Sequence, residues 1–199
     1  QSIGGEFAGT QLEFIPALHT DWKTWQERHP ETLVVSPALF GRDPYESYYA
    51  SAREGVIGRG PISGGGSERG DDIHPKEYVI GVRLGGAAKA YPFSILGSEP
   101  VINDQVGNVP VAVFYDKTTL SGSVFDRRLP NGSVLTFEAT GQPVVIHDLE
   151  TQSEWDPLAG KAVSGKLAGT QLNAVPITYA FFFGWIDYHT ESSVYGYNR

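Results

Sequence analysis

The sequence predicts a mainly β fold with a minor α contribution, an antiparallel β-meander forming a barrel or a sandwich. Three observations lead there. Short apolar and β-branched runs recur roughly every eight to twelve positions between turn residues. The chain carries 24 glycines and 13 prolines among 199 residues, which favours many turns. Two-residue turn signals, Gly85-Gly86 and Gly107-Asn108, separate some of the strongest runs.

From the N-terminus, Gln1–Phe7 is glycine-rich and irregular. Thr10–Ala17 alternates apolar positions at Leu12 and Phe14 and ends at Ile15-Pro16, which predicts a short strand. Thr20-Asp21 offers an N-cap, and Trp22, Trp25 and His29 follow at i, i+3 and i+7 on one face of a short helix. Pro30 stops that helix. The Trp-Trp-His stripe reads as core-facing, with the histidine closing the helix, in preference to a ligand shelf. Leu33–Ser36 is a predicted strand. Pro37–Arg53 carries Tyr45, Tyr48 and Tyr49 in a short helix or surface loop. Glu54–Asp72 is rich in glycine without the G-x-x-x-x-G-K-[ST] pattern of a phosphate loop, so a linker or partner-bound arm is expected.

Glu77–Leu84 and Ala87–Pro92 form a predicted hairpin around Gly85-Gly86. A second pair starts at Val101-Ile102 and returns through Val109–Tyr115, the strongest strand in the chain. Ser121–Arg127 and Val134–Glu138 are expected to pair around Pro130-Asn131-Gly132, and Val144–His147 completes the meander. Ser153–Gly165 is expected to be a loop around Trp155.

The segment Ala8–Ser36 recurs 160 positions later as Ala168–Gly196, with ten of 29 aligned pairs identical. The identities are Ala-Gly-Thr-Gln-Leu, Pro16/Pro176, Trp25/Trp185, His29/His189, Glu31/Glu191 and Val34/Val194. Self-similarity of this kind predicts an internal repeat of a strand–helix unit. The second copy follows a β-rich body and the first has none in front of it. The expected division is therefore 1–53 as the tail of a first repeat, 54–76 as a Gly-rich linker or arm, and 77–199 as a β-rich repeat body with its terminal strand–helix unit.

Composition limits the function classes. A net charge of −8 argues against a nucleic-acid partner. With no cysteine, thiol chemistry, zinc–thiolate sites and intrachain disulfides are excluded. The longest apolar run, Tyr179–Ile186, falls short of the ~20 residues of a membrane span. With no methionine even at position 1, the natural start is expected upstream of Gln1, and export is inferred.

Several phrases of the body carry a family likeness: IGVRLGGAAKAYPFSIL, EPVINDQVGNVPVAVFYD, SVFDRRLPNGSVLTF and HDLETQSEWDPLAGKAVSGKLAGTQL. They resemble the family catalogued as domain of unknown function 3179, from Val79 to the C-terminus, and Gly4–Ser36 resembles the end of a first half. The resemblance implies secreted or envelope-facing proteins, often built of two tandem halves, with no established activity. In the first half of such proteins a Tyr-Cys-Pro-Leu-Cys-Gly segment ends in Phe-Asp-Arg, and a histidine stands upstream. At the matching places this chain has Asp116 and Thr119 for the cysteines and Glu99 for the histidine, while Asn103, Asp104, Phe125, Asp126 and Arg127 keep the surrounding wording. The resemblance thus implies a degenerate half in which a thiolate site cannot form.

The expected function is that of a non-catalytic, extracytoplasmic structural or accessory subunit. Its interaction residues are expected at Trp22, Trp25, Tyr45, Tyr48 and Tyr49. No cofactor and no catalytic residue are assigned. A protein partner or a homo-oligomer is expected, with the upstream repeat half as one candidate. The alternative is a metal- or small-ligand-binding protein, or the remnant of an enzyme whose active half lies upstream. Its weak candidates are Asp116, Asp104, His147 and His74, with Asp126 as a further carboxylate.

Overall fold

The computed structural model describes residues 2–36, 41, 45–50, 73–141 and 145–197. The expected linker therefore lies outside the described residues as far as position 72. The elements are α1 (Trp22–Arg28), α2 (Glu46–Ala50), β1 (Tyr78–Leu84), β2 (Ala87–Pro92), α3 (Phe93–Leu96), β3 (Val101–Val106) and β4 (Val109–Asp116). They continue with β5 (Ser121–Asp126), β6 (Phe137–Thr140), β7 (Val145–Asp148), β8 (Glu154–Asp156), β9 (Lys161–Ala162), β10 (Asn173–Ala174), β11 (Ile177–Phe181), α4 (Phe182–Tyr188) and β12 (Ser193–Val194).

The strands form three four-stranded sheets, ordered β11-β1-β2-β12, β10-β5-β4-β3 and β6-β7-β8-β9. Every pairing is antiparallel except β12 on β2. No sheet closes into a barrel, and the arrangement is sandwich-like. The middle sheet explains why the β4 run is almost continuously apolar. Val111, Val113 and Tyr115 pack toward Ile80, Val82 and Tyr91 of the first sheet. The alternate residues Ala112 and Phe114 pack toward Phe137, Ile146 and Trp155 of the third. A strand buried on both faces has no polar alternation to show.

A third apolar cluster lies where Phe182, Trp185 and Ile186 of α4 meet Val79, Ala90 and Val194. Gly81 makes this contact possible: a Cβ there would come within 2.2 Å of the Trp185 ring.

Several strand expectations need correction. Thr10–Ala17 and Leu33–Ser36 form no strand. Val134 reaches the Ser121–Arg127 side only through an isolated bridge with Arg128, and β6 pairs with β7. The reason is a crossing between sheets, pinned by Asn103. Its amide nitrogen donates to the Phe137 carbonyl at 2.7 Å, and its oxygen accepts from the Phe137 N–H at 2.8 Å. The expected loop around Trp155 contains β8 and β9, whose strands are too short to show a period.

Candidate functional site

Helices α1 and α4 are offset by 160 positions, and several of their local contacts correspond. Each ends at a histidine whose N–H donates to a tryptophan carbonyl, His29 to Trp25 at 2.8 Å and His189 to Trp185 at 3.0 Å. Each indole N–H donates to a hydroxyl, Trp25 to Thr32 at 2.9 Å and Trp185 to Ser192 at 2.8 Å. Each histidine ring lies on its tryptophan, with centroids 4.2 and 4.1 Å apart. Further upstream, Gly9 donates to Ser2 at 2.9 Å and Gly169 to Ala162 at 2.8 Å. Both glycines sit in the left-handed region, at φ 87 and 86, which a side chain would oppose.

Burial separates the two units. Leu172, Val175, Phe182 and Val194 are 3%, 6%, 1% and 3% exposed; their counterparts Leu12, Ile15, Trp22 and Val34 are 89%, 83%, 48% and 62% exposed. In the second unit, β11 and β12 are the two outer strands of the first sheet, and they clasp the β1–β2 hairpin between them. Among the described residues, the first unit's counterparts of these outer strands clasp no hairpin.

The hydrogen-bonding edge can be assigned from the ladder. Tyr78 lies opposite Phe181, and the Phe182 N–H donates to Glu77 in the same register. Hydrogen-bonded pairs alternate along an antiparallel ladder, so Ala180 and Thr178 are the residues bonded to β1. Their counterparts are Thr20 and Leu18. Among the described residues, neither makes a backbone hydrogen bond. Beside this edge lies a groove of about 690 Å³, lined by Pro16, Ala17, Leu18, Trp25, Arg28 and His29 of the unit and by Leu158 and Ala159 of the body.

The unit is nevertheless held to the body on its opposite edge. The Gly122 N–H donates to the His19 carbonyl at 3.4 Å, and the His19 ring stacks on Tyr179 with centroids 3.9 Å apart. His19 and Tyr179 are themselves counterparts, so the two units meet at equivalent residues. A hydroxyl chain joins Thr20 to Ser121 at 2.6 Å, Ser121 to Thr119 at 2.7 Å and Thr119 to Asp116 at 3.0 Å. The Asp116 carboxylate only accepts, which sets every donor in the chain toward it. On the groove side, Arg28 donates to Asp156 at 2.9 Å. Burial pushes the Asp156 carboxyl up, but Arg28 and the N–H groups of Ala159 and Leu158 outweigh it and hold it below its ordinary value.

The carboxylate and histidine candidates do not converge. Asp104 accepts from the Tyr91 hydroxyl at 2.9 Å and pairs with Lys89 at 2.6 Å. Burial, and then the Asp104 charge, push Tyr91 far above the ordinary tyrosine value. Asp116 caps its own turn through the Thr118 N–H at 2.8 Å and lies five residues along β4 from the partner of Asp104, roughly 17 Å away along the strand. Its neighbour Tyr115 is pushed up to about 12 by burial, with Asp116 and Glu77 adding to it. Burial works against ionisation of Asp126, but its hydrogen bonds from Arg128 hold it below its ordinary value. His147 meets the Thr140 hydroxyl at 3.2 Å, and His74 accepts from the Lys76 N–H at 3.1 Å. Glu99 accepts from the Tyr195 hydroxyl at 3.1 Å. Among the described residues, no three His, Cys, Asp or Glu side chains gather to hold a metal.

The aromatic candidates divide. Trp22 is half exposed, and Trp25 stands in the groove. Tyr48 and Tyr49 pack against Phe181 with centroids 6.0 and 6.4 Å away, and Lys76 stands over the Tyr48 ring at 4.2 Å. Tyr45 is exposed. His19, Thr20, Arg28 and Asp156 escape a reading of motifs, although the 160-residue offset pairs His19 with Tyr179.

No helix among the described residues is long and apolar enough to cross a membrane. No curated protein and no solved structure matches the chain. The sequence does match one family over residues 1–60 and 65–198, nearly its whole length, and the family is described as protein of unknown function (DUF3179). The chain belongs to that DUF3179 family.

Proposed function

We propose that this chain is a non-catalytic interaction module, an accessory subunit that works outside the cytoplasm. The observation that carries the proposal is the open strand–helix unit. Leu12, Ile15, Trp22 and Val34 are solvent-facing where their counterparts form core. Each such side chain gains roughly 1.5–3 kcal/mol when fully buried, so a partner that covers the unit is strongly favoured. The scaffold supports the non-catalytic side of the proposal. Asp104, Asp116 and Asp126 each hold a specific neighbour in place. The extracytoplasmic placement rests on the resemblance to envelope-facing proteins alone.

The test is isolation from the native source under mild conditions. The protein is expected in a complex, and the triple variant Leu12→Asn, Ile15→Asn, Val34→Asn is expected to leave that complex without a change in its own melting temperature. A solitary monomer with reproducible turnover on any substrate contradicts the proposal.

A further inference from the structure

The open unit corresponds in sequence and in its helix to a unit whose strands enclose a hairpin. In the second unit four strands run β11-β1-β2-β12, and the hairpin fills the space between the terminal strands. Residues 17–21 and 33–34 are the sequence counterparts of those outer strands, and the N–H and C=O groups of Leu18 and Thr20 make no backbone bond among the described residues. An unpaired edge beside an exposed apolar face is the arrangement that accepts a strand by β-augmentation. We infer that the first unit receives a β-hairpin of the β1–β2 kind, supplied by a second body of this same fold. The inference rests on the interaction-module proposal and names its partner.

The chemistry of the occupant follows from the second unit. The incoming strand runs antiparallel to residues 17–21 and bonds to Leu18 and Thr20, as β1 bonds to Thr178 and Ala180. Thr178 lies opposite Gly81, and Gly81 is the residue on which the Trp185 ring rests. The occupant therefore carries a glycine opposite Leu18, where any Cβ would enter the Trp25 ring. Its return strand meets Val34 in parallel, as Ala90 meets Val194.

The β1–β2 hairpin of a second copy does not satisfy the site. Among the described residues each copy holds two units and one such hairpin, and that hairpin is already clasped by β11 and β12. Exchange between copies moves the open unit from one chain to another and never removes it. The occupant is the hairpin of a further body of this fold.

A tandem chain tests this directly. A copy of residues 73–161 is placed ahead of Ser2, because Ser2 is the counterpart of Ala162. Amide exchange at Leu18 and Thr20 is then compared with that at Thr178 and Ala180. The expected result is a rate ratio that falls to about one, with protection lost when the added copy carries Gly81→Val. A folded tandem chain whose Leu18 and Thr20 exchange as in the original chain overturns the inference. Should the tandem chain not fold, a peptide of residues 77–92 is titrated onto the full chain and the Trp25 indole resonance is followed. A saturable shift with the native peptide and none with its Gly81→Val form supports the inference; no shift with either overturns it. If the inference fails while the triple variant still leaves its native complex, the interaction-module proposal stands with a partner of another fold.

Discussion

Helices α1 and α4 share their length, the closing histidine, the indole hydrogen bond and the ring stacking, and differ at the N-cap, where Asp21 caps α1 and Phe181 offers α4 no side-chain cap; one has no buried residue and the other buries Phe182, Trp185 and Ile186. The difference teaches which interactions are local. Seven residues with a closing histidine form the helix whether or not anything covers it, and the exposed copy adds the Asp21 cap that the buried one lacks. The strands on either side of it behave otherwise: β11 and β12 exist where a hairpin pairs with them, and residues 10–18 and 32–36 have no strand where none does. A helix satisfies its backbone internally, whereas a strand needs a neighbour.

The largest effect expected from this contrast is in paired truncations. Trp185→Ala should destabilise the chain by roughly 3–5 kcal/mol and Leu172→Ala by roughly 2–5 kcal/mol. Leu12→Ala, on the exposed side, should fall within about 0.5 kcal/mol of the parent. Thermal melts of the three variants check this, and equal losses at Leu12 and Leu172 would remove the contrast.

Gly81→Ala should come next, because its Cβ meets the rigid Trp185 ring at 2.2 Å. Overpacking of this kind costs roughly 1–3 kcal/mol. Denaturant melts measure it, and the double variant Gly81→Ala, Trp185→Leu should recover part of the loss. Absence of recovery would place the strain elsewhere.

How far the fold was legible in the sequence follows from the same distinction. The β1–β2 and β3–β4 hairpins were readable because Gly85-Gly86 and Gly107-Asn108 mark their turns. The α1 boundaries were readable from Asp21, Trp22 and Pro30. The predicted strands at Thr10–Ala17 and Leu33–Ser36 were not formed, because apolar alternation reports the environment a segment is suited to and not whether a partner strand is there. The site was half legible. The offset of 160 residues and Trp25 were visible, while the docking residues Thr20, Arg28 and Asp156 carry no motif and find their partners only through tertiary contact.

A smaller effect should separate docking from folding. Thr20→Val removes the hydroxyl that contacts Ser121 at 2.6 Å, a loss of roughly 0.5–1.5 kcal/mol for one hydrogen bond. Faster amide exchange is expected over residues 19–28, with the melting temperature of the body unchanged. A lowered melting temperature would show that the unit is part of the cooperative core.

The smallest effect is the response to acid. Arg28 and the loop N–H groups hold the Asp156 carboxyl below its ordinary value of about 3.9 despite its burial. A depressed carboxyl contributes stability that is present above the unfolded value and lost as pH falls through the folded one. Residues 19–28 should therefore loosen below about pH 4, and Asp156→Asn should weaken that pH response, leaving the part carried by the Asp21 cap, whose hydrogen bond from Thr24 holds it below its ordinary value. An acid response unchanged in Asp156→Asn would assign it wholly to other groups.

The most direct measurement is residue-resolved hydrogen exchange on the chain by itself, comparing Leu18 and Thr20 with Thr178 and Ala180. An open unit predicts fast exchange at the first pair and strong protection at the second, with the helix amides after Asp21 intermediate. Equal protection at both pairs would mean that the edge at Leu18 and Thr20 is already covered, and would contradict the account.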